Sequence, residues 1–167
     1  GLAVSASLTS LNLARNSLGE TGYVNISEVQ GTSFNKGDKV MYQGRELIIS
    51  RGKDRDGEIK MSDPCGVAAI ADALGVSTSL TSLKLDENNI QGCGEAFGEA
   101  LKSNSSLKNL EMYNCDLSAK DGKGLAVGLA VNTSLTSLDI RFNSLQEEGE
   151  TAIREAIKNK DGFELKM

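Results

Sequence analysis

Histidine and tryptophan are both absent, which removes most catalytic arrangements at once. Without histidine there is no Ser/His or Cys/His pair and no imidazole-ligated metal. Cysteine occurs three times, at Cys65, Cys93 and Cys115, and proline once. An odd cysteine count without C-x-x-C spacing fits neither a disulfide framework nor a zinc ribbon. The expectation is reduced thiols in a cytoplasmic setting, with no metal and no cofactor. Aromatic residues are also scarce, four Phe and three Tyr in 167 residues, so a core has to be assembled from aliphatic layers. Basic residues are outnumbered, 18 Lys and Arg against 23 Asp and Glu, giving a formal charge of -5. That balance argues against nucleic acid and membrane surfaces as partners. Long apolar runs are missing too, and Gly1–Leu11 has no basic stretch ahead of an apolar one, so neither a membrane span nor a leader is expected.

What the chain does have is leucine in register. Leu8-Thr-Ser-Leu11-Asn-Leu13 returns as Leu80-Thr-Ser-Leu83-Lys-Leu85, Leu107-Lys-Asn-Leu110-Glu-Met112 and Leu135-Thr-Ser-Leu138-Asp-Ile140. From Leu83 to Leu110, Leu138 and Leu165 the steps are 27, 28 and 27 residues. Three residues after each motif stands Asn16, Asn88, Cys115 or Asn143, and two further on Leu18, Ile90, Leu117 or Leu145. Alternation predicts short strands with one face buried. The Asn or Cys is placed inside the following turn, where its side chain satisfies backbone groups that no ladder reaches. Ile70/Leu74, Phe97/Leu101, Leu125/Leu129 and Ile153/Ile157 are i, i+4 pairs that predict one buried helical stripe per repeat. A small residue, Ala73, Ala100, Gly128 or Ala156, precedes the second member of each pair and lets neighbouring helices approach. Gly92, Gly94, Gly122 and Gly124 lack a phosphate-loop pattern and are assigned to the turns before helices.

The pattern L-x-x-L-x-L-x-x-[NC]-x-L, present four times, resembles the leucine-rich repeat family, and the 27 to 28 residue period is similar to its ribonuclease-inhibitor-like subclass. The resemblance implies an α/β fold: a leucine-rich-repeat solenoid, a right-handed βα horseshoe with a parallel sheet on the concave side and helices on the convex side. It also implies protein partners bound on the concave face.

Gly1–Val4 matches Gly128–Val131 in phase, so the chain is expected to open inside a helix of a longer array, whereas the charged last helix and strand read as a genuine end. From Leu11 to Leu83 is 72 residues, one repeat plus 44. Gly22 and Gly66, each assigned to the position before a helix, bracket the excess. The expected organisation is residues 1–22 as partial and first repeat, 23–65 as an inserted β-rich segment, and 66–167 as the remaining repeats with an edge strand. Within the segment, Lys39–Tyr42, Arg45–Ser50 and Glu58–Met61 predict a small β-meander that resembles part of an SH3-like barrel and leans on the repeats for burial. Ser62-Asp63-Pro64 marks a helix restart.

Candidate binding residues follow from the solvent side of each strand: Lys84, Asp86, Glu111, Tyr113, Asp139 and Arg141, with Phe142 at the rim. Arg45 and Arg51 of the inserted segment extend the set. No catalytic residue and no metal ligand is assigned. Asp54, Asp56 and Gly57 sit as in part of a calcium loop, but Gly52 stands where the first ligand belongs, and a hairpin turn is the better reading. Asn25, Asn104 and Asn132 begin Asn-x-Ser triplets; the last two fall at helix-to-strand corners where capping is expected. The leading expectation is a non-catalytic protein-binding module or scaffold. Alternatives are a GTPase-activating protein using Arg15 or Arg141, which rests on the resemblance alone, and a self-associating structural component.

Overall fold

The computed structural model describes residues 7–19, 21–43 and 45–167. The expectation for Gly1–Val4 lies outside these residues. Five short strands, β1 (Ser10–Asn12), β6 (Ser82–Lys84), β7 (Asn109–Glu111), β8 (Ser137–Asp139) and β9 (Glu164–Lys166), form one parallel sheet in the order β1-β6-β7-β8-β9. Its register aligns Leu11, Leu83, Leu110, Leu138 and Leu165, the same position of every repeat. Helix α1 (Pro64–Val76) precedes β6, and α2 (Gly94–Ser103), α3 (Ala119–Val131) and α4 (Gln146–Ile157) follow β6, β7 and β8 in chain order; Pro64 takes the first helical position.

Strand and helix stripes meet in one aliphatic core. Leu80, Leu83, Leu107, Leu110 and Leu138 are fully buried, as are Phe97, Leu101, Leu125, Leu129 and Ile153 opposite them. Each such side chain contributes about 1.5–3 kcal/mol on burial.

The backbone of the turns is satisfied by side chains at a fixed step. Asn88 donates through Nδ2 to the carbonyls of Leu13 and Leu85, at 2.9 and 2.7 Å, and accepts from the amides of Asn16 and Leu18. Asn143 repeats this with Met112, Ile140, Cys115 and Leu117. Between them Cys115 supplies a thiol donor, 3.2 Å from Leu85 O and 3.5 Å from Tyr113 O. Its own carbonyl takes the Ile90 amide instead. A second ladder runs at the opposite corner. Asn104 bonds Leu74 O, Ser77 O and the amides of Ser106 and Leu107; Asn132 bonds Leu101 O, Asn104 O and the amides of Ser134 and Leu135. Both residues are buried, so neither triplet presents a glycan acceptor on the folded surface.

The glycines correct the sequence reading. Gly92 does occupy a turn at φ +86°, but Gly94 opens α2, Gly122 and Gly124 lie inside α3, and Gly66 lies inside α1. Those in α2 and α3 serve helix packing: a Cβ on Gly98 would stand 2.1 Å from Gly124 O, and one on Gly128 2.0 Å from Gly98 O. The turn reading failed because glycine is read as a breaker from local sequence, while backbone-to-backbone helix contact is a tertiary demand.

A second, antiparallel sheet joins β2 (Val24–Asn25), β3 (Lys39–Tyr42), β4 (Arg45–Arg51) and β5 (Glu58–Ser62) in the order β2-β5-β4-β3. β2 escaped the sequence reading because two residues carry no alternation. The sheet has a small core of its own, with Ile49, Ile59 and Met61 fully buried, beside Val40 and Leu47. Asp54 closes the turn between β4 and β5 by accepting from the amides of Asp56 and Glu58, with Gly57 at φ +80°. It meets the repeats through polar contacts: Thr21 N to Met61 O, Asp63 N to Gly19 O, and Ser62 Oγ to Asn89 Oδ1.

Candidate functional site

Lys84, Asp86, Glu111, Tyr113, Asp139 and Arg141 come together on the solvent face of the parallel sheet, around a shallow depression of about 440 Å³ shared with Asn12, Ala14, Arg15 and Glu87. Lys84 Nζ pairs with Glu111 at 2.8 Å across neighbouring strands. Asp86 is half-buried and accepts the Tyr113 amide at 2.9 Å. Burial pushes its carboxyl above the ordinary range, against the pull of the Tyr113 hydrogen bond.

Asp139 does not project freely into solvent as expected. It is buried, because the Arg141 guanidinium lies over it and donates twice, Nε to Oδ1 at 3.0 Å and Nη2 to Oδ2 at 2.7 Å. Burial works against the Asp139 charge, but those bonds and the Arg141 charge outweigh it and hold the carboxyl below the ordinary range.

Arg141 also stands 5.7 Å from the Tyr113 ring centroid. On the same ring, Phe142 packs edge-on with centroids 5.0 Å apart while remaining 71% exposed. The result is an aromatic pair flanked by a fixed guanidinium, the composition that interface anchors favour.

Arg15, Glu87, Asn114 and Phe142 occupy the same place in successive repeats, and all have positive φ, from 50 to 58°. A left-handed residue before each ladder position turns the chain and sends the preceding side chains outward. For Asn the conformation is inexpensive; for Phe it costs roughly 1–2 kcal/mol. Glu87 was missed as a site residue, and Arg15 was weighed only for the GTPase-activating alternative. They form a 2.6 Å ion pair at the edge of the depression, and their common offset of four from the second leucine of each motif was the available signal.

Arg45 and Arg51 do not join this group. Arg45 starts β4 and pairs with Asp63, whereas Arg51 ends it and donates to Tyr23 Oη at 2.7 Å. Both belong to the second sheet, whose polar junction with the repeats fixes them away from the parallel strands. The two buried thiols described, Cys93 and Cys115, are each pushed up to about 12, chiefly by burial. Among the described residues, no helix is long and apolar enough to cross a membrane.

The parallel strands in register and the asparagine turns have the form of leucine-rich repeats, and the comparisons find such repeats in the chain. The leucine rich repeat family model matches residues 4–27, 76–94 and 131–153. Over 153 residues, 91% of this chain and 13% of the relative, the chain is 29% identical to NACHT, LRR and PYD domains-containing protein 13 of Homo sapiens. Over 100 residues, 59% of this chain and 9% of the relative, it is 31% identical to NACHT, LRR and PYD domains-containing protein 5 of Bos taurus. The chain thus spans a small part of the length of the curated relatives it matches.

Proposed function

We propose that this chain is a protein-binding module that acts by surface complementarity, without catalysis, in a cytoplasmic setting. The observation that carries the reading is the exposed Phe142, held at φ 58° against Tyr113 beside the clamped Arg141. An exposed bulky side chain in a strained conformation has no stabilising role in the fold and suits an anchor that is ordered before its partner arrives. We read the parallel sheet as the concave face of a ribonuclease-inhibitor-like solenoid and residues 23–65 as a segment inserted at its rim. Arg15 and Arg141, the arginines a GTPase-activating role would draw on, are engaged by Glu87 and Asp139, which favours recognition over that role.

The test uses Phe142→Asn and Tyr113→Ala in the full chain. Asn tolerates the left-handed backbone, so Phe142→Asn keeps the fold while removing the ring. Proteins captured by the native chain at its sheet face should be lost with both variants, since truncating an anchor costs about 2 kcal/mol or more. Capture indifferent to both would move the binding surface elsewhere.

A further inference from the structure

A second cleft lies where the antiparallel sheet meets the repeats, distinct from the parallel-sheet face. It measures about 390 Å³ and is lined by Lys36, Ser50, Arg51, Gly52, Lys60, Asn89 and Asp116. Among these described residues three cations face one carboxylate. Two structural features make the arrangement specific. The pairing of β4 with β5 slips between Ile49 and Arg51, opposite Met61 and Lys60, which leaves Ser50 as an extra residue. Bulges of this kind re-aim side chains and recur beside binding sites. The Ser50 hydroxyl is buried, in a residue 8% exposed, and finds no hydrogen-bond partner among the described residues. A buried hydroxyl without a partner costs about 1–3 kcal/mol, so it points to a group that the site is built to receive.

The slip also sets Arg51 directly across from Lys60, and both stand over the ring of Tyr23, at 6.0 and 5.2 Å from its centroid. Like charges placed opposite one another on neighbouring strands repel. Tyr23 orients Arg51 through its hydroxyl and its ring without neutralising it, and among the described residues Arg51 forms no ion pair. A guanidinium has five donors, most of which remain for a ligand.

We infer that this cleft binds a phosphate monoester, with Arg51 as the bidentate ligand, Lys36 and Lys60 flanking it, and the Ser50 hydroxyl donating to a phosphoryl oxygen. Planar recognition of a phosphoryl group is what a pre-oriented arginine does best. The volume lies at the lower end of small-ligand sites and exceeds what a bare oxyanion needs, so the phosphate is carried on a small organic group. Asp116, paired with Lys36 at 3.2 Å, competes with the ligand for that lysine and tunes the affinity downward.

The experiment is an amide-resolved NMR titration of the ¹⁵N-labelled chain with inorganic phosphate, with O-phospho-L-serine, and with sodium chloride at matched ionic strength. Saturable shifts at Tyr23, Ser50, Arg51 and Gly52 are expected, strongest for the ester and weakening as pH falls below the second phosphate ionisation, about 6. Arg51→Gln and Lys36→Gln should each weaken binding, the former about tenfold or more, and Asp116→Asn should strengthen it. Tyr113→Ala should leave it unchanged, which separates this site from the sheet face. Equal response to phosphate and ester would confine recognition to the phosphoryl group and overturn the carried-ligand assignment. Shifts that follow chloride, or that persist in Arg51→Gln while its remote amides stay in place, would overturn the site.

Discussion

Replacing Asn132 by alanine should remove a large part of the stability of the fold, although no hydrophobic contact is lost. The side chain is 2% exposed and makes four bonds to backbone: Nδ2 to Leu101 O at 2.7 Å and Asn104 O at 2.8 Å, and Oδ1 from Ser134 N at 3.0 Å and Leu135 N at 2.7 Å. Asn104 O keeps a weaker donor in Ser134 Oγ, at 3.3 Å, so three groups are left unpaired. At about 1–3 kcal/mol for each orphaned buried group, the loss should be about 3–9 kcal/mol. That is a sizeable share of the 5–15 kcal/mol typical of a whole domain. Asn25→Ala is the matched control, because Asn25 Oδ1 also accepts from the residue two ahead, Ser27, yet on the surface. Water replaces that bond, and the change should stay within about 1 kcal/mol. Urea unfolding followed by circular dichroism measures both, and with a slope of about 1–3 kcal/mol per molar the Asn132 variant should lose one to several molar in midpoint. Equal midpoints for the two variants would refute the view that the buried asparagine ladder holds the repeats together.

Gly98→Ala should destabilise by about 1–3 kcal/mol or more, seen in the same unfolding experiment, since its Cβ would fall 2.1 Å from Gly124 O and backbone has to move. Asp86 has its carboxyl raised by burial, so its ionised form opposes folding; Asp86→Asn should therefore stabilise the chain at neutral pH, and the gain should shrink as pH falls through the Asp86 titration and protonates the native side chain. An Asp86→Asn variant no more stable than the native chain at neutral pH would remove that reasoning. Cys93 and Cys115, buried and raised to about 12, should react with a disulfide reagent near neutral pH only at the rate of unfolding, whereas urea-unfolded chain should react within the mixing period; fast native-state labelling at either of these two positions, located by peptide mapping, would contradict their burial.

Leucine spacing made the parallel sheet legible down to its register, because a repeated buried position leaves one alignment of strands. Asn88 and Asn143 were legible for the same reason, standing at a constant distance from that leucine. Asn104 and Asn132 read as local caps, since the bonds that define their role reach back about one repeat and leave no local mark. The solvent face of the parallel sheet was legible as a set of alternating residues but not as a geometry. Asp139 alternates like its neighbours, and only the fold of Arg141 back over it hides it. Phe142 was placed at the rim by type and position, while the left-handed backbone that presents it depends on the turn that follows.

The glycine contacts between α2 and α3 bear on curvature. Strands in a sheet sit about 4.8 Å apart, whereas packed helices ordinarily sit 8–10 Å apart, and a stack that joins the two at a fixed number per repeat has to bend toward its strands. Gly98, Gly124 and Gly128 remove the side chains that would hold α2 and α3 at the wider spacing. Such contact narrows the mismatch between the two layers, so strands β6 to β8 are expected to be flatter than helices with ordinary contacts would allow. Lys84, Glu111, Tyr113 and Arg141 lie on or beside those strands, so the shape of the surface proposed for binding would be governed in part by glycines in the helices behind the sheet.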